Sequence, residues 1–281
     1  MSDWKQPLRL VEMLDKNGAI DDKGVKKLTE AVQEAADLAG NLKCEEFLAF
    51  ATSAVRSATN SDDVLDHVEK KTGVRLRVLS GEDEARLTFL AARRWYGWSA
   101  GRITNLDIGG GSLEMSTGTD EVPDVAVSLD LGAGRLTHEW FDTDPPEKKM
   151  VNTLRDYIDA ELSAVADDFL DQGEAGLAVG TSKTFRTLAR LTGSAPSSAG
   201  PYVKRTLTAP GLRQLIAFIT RMTASDRAEL EGVSSDRSHQ IVAGALVAEA
   251  TMRALNLDKL EICPWALREG VILRQIDKGQ N

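Results

Sequence analysis

Between Lys23 and Gly40 the apolar positions Val25, Leu28, Val32, Ala35, Ala36 and Ala39 recur at helical spacing, which predicts an amphipathic helix. Phe47-Leu48-Ala49-Phe50 is instead a short unbroken apolar run, the pattern of a buried strand. Asn60-Ser61-Asp62-Asp63 offers capping side chains for a helix running through Lys70. Val74, Leu76 and Val78 alternate as a strand does, and Ser80-Gly81-Glu82-Asp83 then opens a helix from about Glu82 to Tyr96. Strand and helix alternate through the first hundred residues, which predicts an α/β sheet.

Gly97-Trp98-Ser99-Ala100-Gly101 interrupts this pattern and reads as a hinge between two domains, residues 1–99 and 100–281. Beyond it, Arg102–Ile108, Leu113–Gly118 and Val125–Leu131 have the composition of three strands joined by tight turns, an antiparallel meander. A long helix is predicted from about Lys148 to Leu170, then a strand over Gly176–Gly180. Thr208-Ala209-Pro210 starts a helix to Met222, with proline tolerated in the first turn. An Ala-rich helix over Ser234–Leu257, a strand at Leu260–Cys263 and a helix over Pro264–Ile276 complete the chain. Three strands, helix, strand, helices, strand, helix is the order of an RNase H-like domain.

Composition narrows the class. The 281 residues are 42% hydrophobic and 27% charged, as in ordinary globular chains. No run reaches the roughly 18–20 apolar residues of a membrane span, and the N-terminus lacks the apolar core of a signal peptide. Cys44 and Cys263 form no disulfide framework, and with His67, His138 and His239 they make no zinc pattern. These features predict a cytoplasmic protein without membrane partners. The net charge of −9 argues against nucleic acid. Yet Ala175–Ser225 contains no acid while carrying Lys183, Arg186, Arg190, Lys204, Arg205, Arg213 and Arg221, and Ala85–Leu106 is likewise acid-free with four arginines. Such residues are either ordinary solvated faces or the lining of a channel for a polyanion.

The chemistry-bearing segment is Asp107-Ile108-Gly109-Gly110-Gly111-Ser112-Leu113-Glu114. Glycines after a strand let successive backbone N–H groups turn toward one point, as a phosphate requires. They serve equally well in a plain hairpin. Asp107 and Glu114 are hard oxygen ligands of the kind that suits Mg²⁺ beside phosphate. Glu82, Asp83 and Glu84 lie in a first helical turn, where acids complement the helix dipole. Gly180-Thr181-Ser182-Lys183-Thr184 follows a strand and reads as a strand-to-helix turn with Ser182 or Thr181 as N-cap; it is not a Walker loop.

Taken together, four segments resemble one family. Asp107–Glu114 is similar to the second phosphate motif of the exopolyphosphatase/guanosine pentaphosphate phosphatase (Ppx/GppA) family. Ala51-Thr52-Ser53-Ala54-Val55-Arg56 with Ala58 and Asn60 resembles its Ala-Thr-x-x-x-Arg-x-Ala-x-Asn segment. Ser80-Gly81-Glu82-Asp83-Glu84-Ala85-Arg86 and Leu267-Arg268-Glu269-Gly270 resemble two further motifs. The resemblance implies an α/β fold of the actin-like (ASKHA) superfamily, two RNase H-like domains with an interdomain cleft. It implies a Mg²⁺-dependent exopolyphosphatase in which Glu84 fills the catalytic glutamate position and deprotonates the attacking water. Gly109, Gly110, Gly111 and Ser112 would then donate to the phosphoryl oxygens, Asp107 and Glu114 would hold the metal, and Arg56 would either grip the terminal phosphates or form a structural ion pair. Lys183, Arg186, Lys204 and Arg205 become candidates for phosphates further along a chain. Guanosine pentaphosphate (pppGpp) is the alternative substrate, and a homodimer is a candidate assembly.

One motif of the family is not found. Members begin with a strand leading into Asp-x-Gly-(Ser/Thr)-Asn-(Ser/Thr), whereas Leu8-Arg9-Leu10-Val11-Glu12 resembles a segment lying after it. The missing strands would take roughly 20–30 residues at usual strand lengths. The expectation is therefore a first domain incomplete at its N-terminus, through truncation or a start upstream of Met1. If the terminus is genuine, a non-catalytic polyphosphate or alarmone binder becomes the competing reading.

Overall fold

The computed structural model describes residue 4 and residues 6–279. By internal contacts the chain forms two compact units, Met1–Ser80 and Gly81–Asn281. The first contains α1 (Asp22–Asn41), β1 (Phe50–Ala51), α2 (Ser53–Arg56), α3 (Ser61–Thr72) and β2 (Arg77–Val78). Asp21 caps α1 by accepting the Gly24 N–H at 2.7 Å. Leu28 and Val32 of α1 pack with Val64 and Val68 of α3, Val55 of α2 and Ala51 of β1. β1 and β2 pair in parallel, so only the end of the predicted apolar strand enters a sheet. Asn60 does not cap α3 with its side chain. Its amide is occupied elsewhere: Oδ1 accepts the Ile20 N–H and Nδ2 donates to the Ile20 carbonyl, both at 2.9 Å, tying the approach to α1 onto α3.

The second unit opens with α4 (Gly81–Tyr96), followed by the meander β3 (Ile103–Ile108), β4 (Leu113–Gly118) and β5 (Val125–Leu129). After α5 (Ala133–Trp140), α6 (Lys148–Ser163) and α7 (Ala166–Leu170) come β6 (Leu177–Gly180), α8 (Lys183–Leu191), β7 (Thr206–Thr208), α9 (Ala209–Ile219), α10 (Ala224–Ala228), α11 (Ile241–Ala254), β8 (Lys259–Ile262) and α12 (Leu267–Gly279). The six strands lie in the order β5-β4-β3-β6-β8-β7. β3, β6 and β8 run parallel, while β4, β5 and β7 are antiparallel to their neighbours. This is the RNase H-like sheet the element order predicts.

Alternation along the strands separates two faces. Leu106, Ile108, Leu113 and Met115 enter the large core formed with α5, α6, α8, α9 and α11. On the opposite face Ile103 and Val179 meet Phe89 and Ala92 of α4. This packing places α4 with the second unit, so the compact units divide after Ser80 rather than at the 97–101 glycine segment. α12 lies against α4 so closely that a Cβ at Gly270 would fall 1.9 Å from the Leu87 carbonyl oxygen. The helix expected over 148–170 breaks at Ala164–Val165 into α6 and α7. The Ala-rich helix is shorter than its pattern, with a 3₁₀ turn at Ser238–Gln240 ahead of α11. Among the described residues no helix is long and apolar enough to cross a membrane.

Candidate active site

The β3–β4 hairpin sets Asp107 directly opposite Glu114 in the ladder, so both side chains leave the same face. Between them the loop is closed by the Gly109 N–H donating to the Ser112 carbonyl at 2.9 Å. Gly109 is therefore engaged in the turn, and the expected set of four phosphate donors reduces to three. The remaining carbonyls are pinned from one side. The Ala133 N–H donates to Gly109 O at 3.0 Å and the Arg135 N–H to Gly110 O at 2.9 Å. Arg135 Nε donates to Gly111 O at 3.0 Å.

In a trans peptide the carbonyl and the following N–H point in opposite directions. With the carbonyls of 109, 110 and 111 turned toward α5 and Arg135, the N–H groups of Gly110, Gly111 and Ser112 are turned away from it together. Among the described residues none of these three finds a backbone acceptor. N–H groups left without backbone acceptors on one side of a loop are the kind of array that can receive an anion. No left-handed dihedral demands the glycines. A Cβ at Gly110 would meet nothing within 4 Å, so glycine there leaves bare backbone for a ligand to approach.

The support beneath the loop is tighter. A Cβ at Gly132 would fall 2.2 Å from the Gly111 carbonyl carbon, and one at Gly134 3.1 Å from the Gly110 oxygen. These two glycines and Arg135 hold the loop, and sequence reading passed over them. The signal was present: Gly132-Ala133-Gly134-Arg135 directly follows the third strand of the meander.

Each carboxylate has a hydroxyl partner. Thr181 Oγ1, at the end of β6, donates to Asp107 Oδ2 at 2.7 Å. Ser128 Oγ donates to Glu114 Oε1 at 2.9 Å from the neighbouring strand β5. Loss of water raises the Asp107 pKa, against the opposing pull of the Thr181 bond and of the Arg186 and Arg237 charges. Glu114 is buried and pushed up to about 8, first by desolvation and then by the nearby Asp107 and Glu84 charges, with Ser112 and Ser128 acting in the other direction. Glu84 is itself buried in the first turn of α4. Three carboxylates from α4, β3 and β4 thus share one electrostatic neighbourhood.

The predicted basic residues divide into two groups. Arg186, on α8, lies near Asp107 together with Arg237, which the sequence reading did not single out. Lys183 Nζ donates to Ser234 Oγ at 3.0 Å. Lys204 forms an ion pair with Glu261. Arg205 staples its own loop, donating to the carbonyls of Ala195, Val203, Pro196 and Gly200. Lys204 and Arg205 border a separate cavity of about 270 Å³ lined also by Trp95 and Tyr202. Lys204 and Arg205 are thus already engaged by a carboxylate and by loop carbonyls. In the first unit, Arg56 Nη1 donates to the Leu79 carbonyl at 2.8 Å.

The donor set fits a hard divalent cation. Among the described residues no three His, Cys, Asp or Glu side chains form a ready-made cage. Asp107 and Glu114, both with raised pKa values that a cation would relieve, offer two carboxylates beside the N–H cradle. A small cation that keeps several waters and shares phosphate oxygens with one or two carboxylates is suited to such a site.

An RNase H-like sheet with a backbone anion cradle beside clustered acids at its strand ends defines an enzyme of the phosphoryl-hydrolysing class. More specifically, the chain belongs to the Ppx/GppA phosphatase family, whose model matches residues 1–279. Exopolyphosphatase 1 of Mycobacterium tuberculosis (strain ATCC 25618 / H37Rv) is 65% identical over 277 residues, 99% of this chain and 80% of its own length. Exopolyphosphatase 1 of Mycobacterium leprae (strain TN) is 64% identical over 277 residues, covering 99% and 82%. Among solved structures, the Aquifex aeolicus family member shares 25% identity with a TM-score of 0.77, over 97% of this chain and 87% of its own. An exopolyphosphatase from Cytophaga hutchinsonii, at 21% identity, shares the fold with a TM-score of 0.84 over 94% and 87%.

Proposed function

We propose that this protein hydrolyses the terminal phosphoanhydride bond of inorganic polyphosphate. The observation that carries the reading is the set of three N–H groups turned one way by pinned carbonyls, beside Glu84, Asp107 and Glu114. The high identity to two proteins named Exopolyphosphatase 1 supports the choice of substrate.

In this reading Gly110, Gly111 and Ser112 donate to the oxygens of the terminal phosphoryl group, and those bonds strengthen as charge spreads over them in the transition state. Glu84 orients the attacking water and accepts its proton on the carboxylate. Mg²⁺ on Asp107 and Glu114 would supply charge neutralisation at the phosphate. Thr181 and Ser128 fix the two carboxylates by their hydroxyl hydrogen bonds. Arg186, and Lys183 beside it on α8, are assigned to phosphates nearer the middle of the polymer. Arg56 is assigned a phosphate contact on the strength of its motif.

The test is phosphate release from polyphosphate by the wild-type chain and by Glu84→Gln. The variant should lose at least about 100-fold in kcat, the usual scale for a general base, while still binding tripolyphosphate. A variant as active as wild type defeats the assignment of Glu84. A wild-type chain that binds polyphosphate and releases no phosphate supports a binder instead. pppGpp serves as the comparison substrate, and comparable rates on both would defeat an exclusive assignment.

A further inference from the structure

Beneath the acidic pair lies a second polar pair with no assigned role. Asn105 and Ser116 are direct partners in the β3–β4 ladder, one layer below Asp107 and Glu114 and on the same face. Both are fully buried, at 0% exposure. Among the described residues, neither Nδ2 nor Oδ1 of Asn105 has a hydrogen-bond partner. Val179 of β6 is the neighbour on the other side in the ladder and offers no polar side chain. Ser116 Oγ reaches the Ala85 carbonyl at 3.5 Å, a long contact. Ala85 directly follows Glu84 in α4.

Leaving both ends of a buried amide unmet is costly, because each group has given up its water without gaining a partner. An apolar residue would avoid that loss, since the flanking Ile103, Val179 and Phe89 are apolar. Buried polar groups of this kind are characteristically met by internal water, which needs two to four polar partners. The Asn105 amide, the Ser116 hydroxyl and the Ala85 carbonyl provide such a set from three different elements.

We propose that Asn105 is a positioning residue: with Ser116 it holds an internal water beneath the carboxylate pair, and that water anchors the first turn of α4 at Ala85, fixing the place of Glu84. The arrangement explains why a second polar pair stands in register beneath the carboxylates, next to the apolar Ile103 and Val179. It also accounts for the length of the Ser116–Ala85 contact, since the serine hydroxyl is shared with the water. The catalytic half of the inference rests on Glu84 being the base; the water itself does not.

Two measurements separate these parts. A high-resolution crystal structure should show density for a water within hydrogen-bond reach of Asn105 and Ser116, and a dry, closed layer overturns the proposal whatever Glu84 does. Asn105→Leu should lower kcat about tenfold, the scale of a small misplacement of a reacting group, with KM unchanged because the N–H cradle is untouched. Asn105→Ser, which can still bind a water, should recover most of the loss. Asn105→Leu with wild-type kcat and a raised melting temperature is the result of a merely uncompensated amide, and it too overturns the proposal. Should Asn105→Leu fail to fold, Ser116→Ala takes its place: it should lower kcat with KM unchanged, and unaltered kcat counts against the water. An inactive wild type with the water present removes the reading of Glu84 and leaves the polar layer standing.

Discussion

Two glycine-led turns end neighbouring parallel strands in this molecule, and they do opposite things. The loop after β3 turns its N–H groups outward. The turn after β6 turns its polar groups inward: the Thr181 N–H donates to Leu106 O at 3.1 Å, and Gly180 O accepts the Cys263 N–H at 3.0 Å. Ser182 caps α8 by accepting the Phe185 N–H, and Thr184 Oγ1 donates to Ile108 O at 2.9 Å. Gly180 is required by packing, since a Cβ there would lie 2.8 Å from the Phe185 ring. Glycine content therefore does not distinguish a cradle from a cap. What distinguishes them is whether neighbouring elements take up the carbonyls or the amides. The second turn also buttresses the first, through the bond from Thr181 to Asp107.

The largest expected effect comes from removing what pins the first loop. Gly132→Ala forces a methyl group against Gly111 and should reduce phosphate release by about 100-fold or more, as misplacement of catalytic groups commonly does. Circular dichroism should show the fold retained; a variant with normal kinetics would mean the pinned carbonyls are not what shapes the loop. Thr181→Val breaks the link between the turns. If Asp107 holds the cation as proposed, it should lower activity roughly tenfold and raise the Mg²⁺ concentration needed for half-maximal activity, the scale expected for a residue that orients a metal ligand. Unchanged metal titration would show the two turns to be independent.

A third effect is electrostatic. Glu114 titrates at about 8 in the fold against an ordinary 4.5, so between those values the folded chain holds a proton that the unfolded chain has lost. The Glu114 contribution to the stability of the metal-free protein is therefore fully present below about 4.5 and is lost as pH rises through about 8. The urea midpoint followed across that range checks it, and Glu114→Gln should flatten the slope; a slope unaffected by that change assigns it elsewhere. The smallest effect belongs to the second turn. Ser182→Ala should cost about 1 kcal/mol by loss of an N-cap, seen in the melting temperature, with kcat unaltered. A large kcat loss would make that turn a functional partner rather than a support.

Much of this was legible beforehand. The meander, the strand at 177–180 and the closing helix follow from period and turn residues, because those signals are local. Asp107 and Glu114 were readable as a pair because a tight hairpin fixes their register over six intervening residues. Glu84 was different. Three acids in a first turn look alike by dipole arguments, and only motif resemblance separated Glu84 from Glu82 and Asp83. Burial of Glu84 near Glu114 is a property of α4 lying across the sheet. The acid-free stretch shows the same limit: its charge pattern does not reveal that Lys204 is paired with Glu261 and that Arg205 is bound to carbonyls of its own loop.

The sequence by itself determined the elements, the opposed carboxylates and the glycines that leave backbone bare. Tertiary structure decided which N–H groups are presented, because that depends on α5 and Arg135 taking up the loop carbonyls from more than twenty residues away. It also decided which acids interact and which cations are already occupied by ion pairs and carbonyls. Local pattern constrains a residue's conformation, but its chemistry is set by the neighbours that desolvate it, repel it or claim its hydrogen bonds.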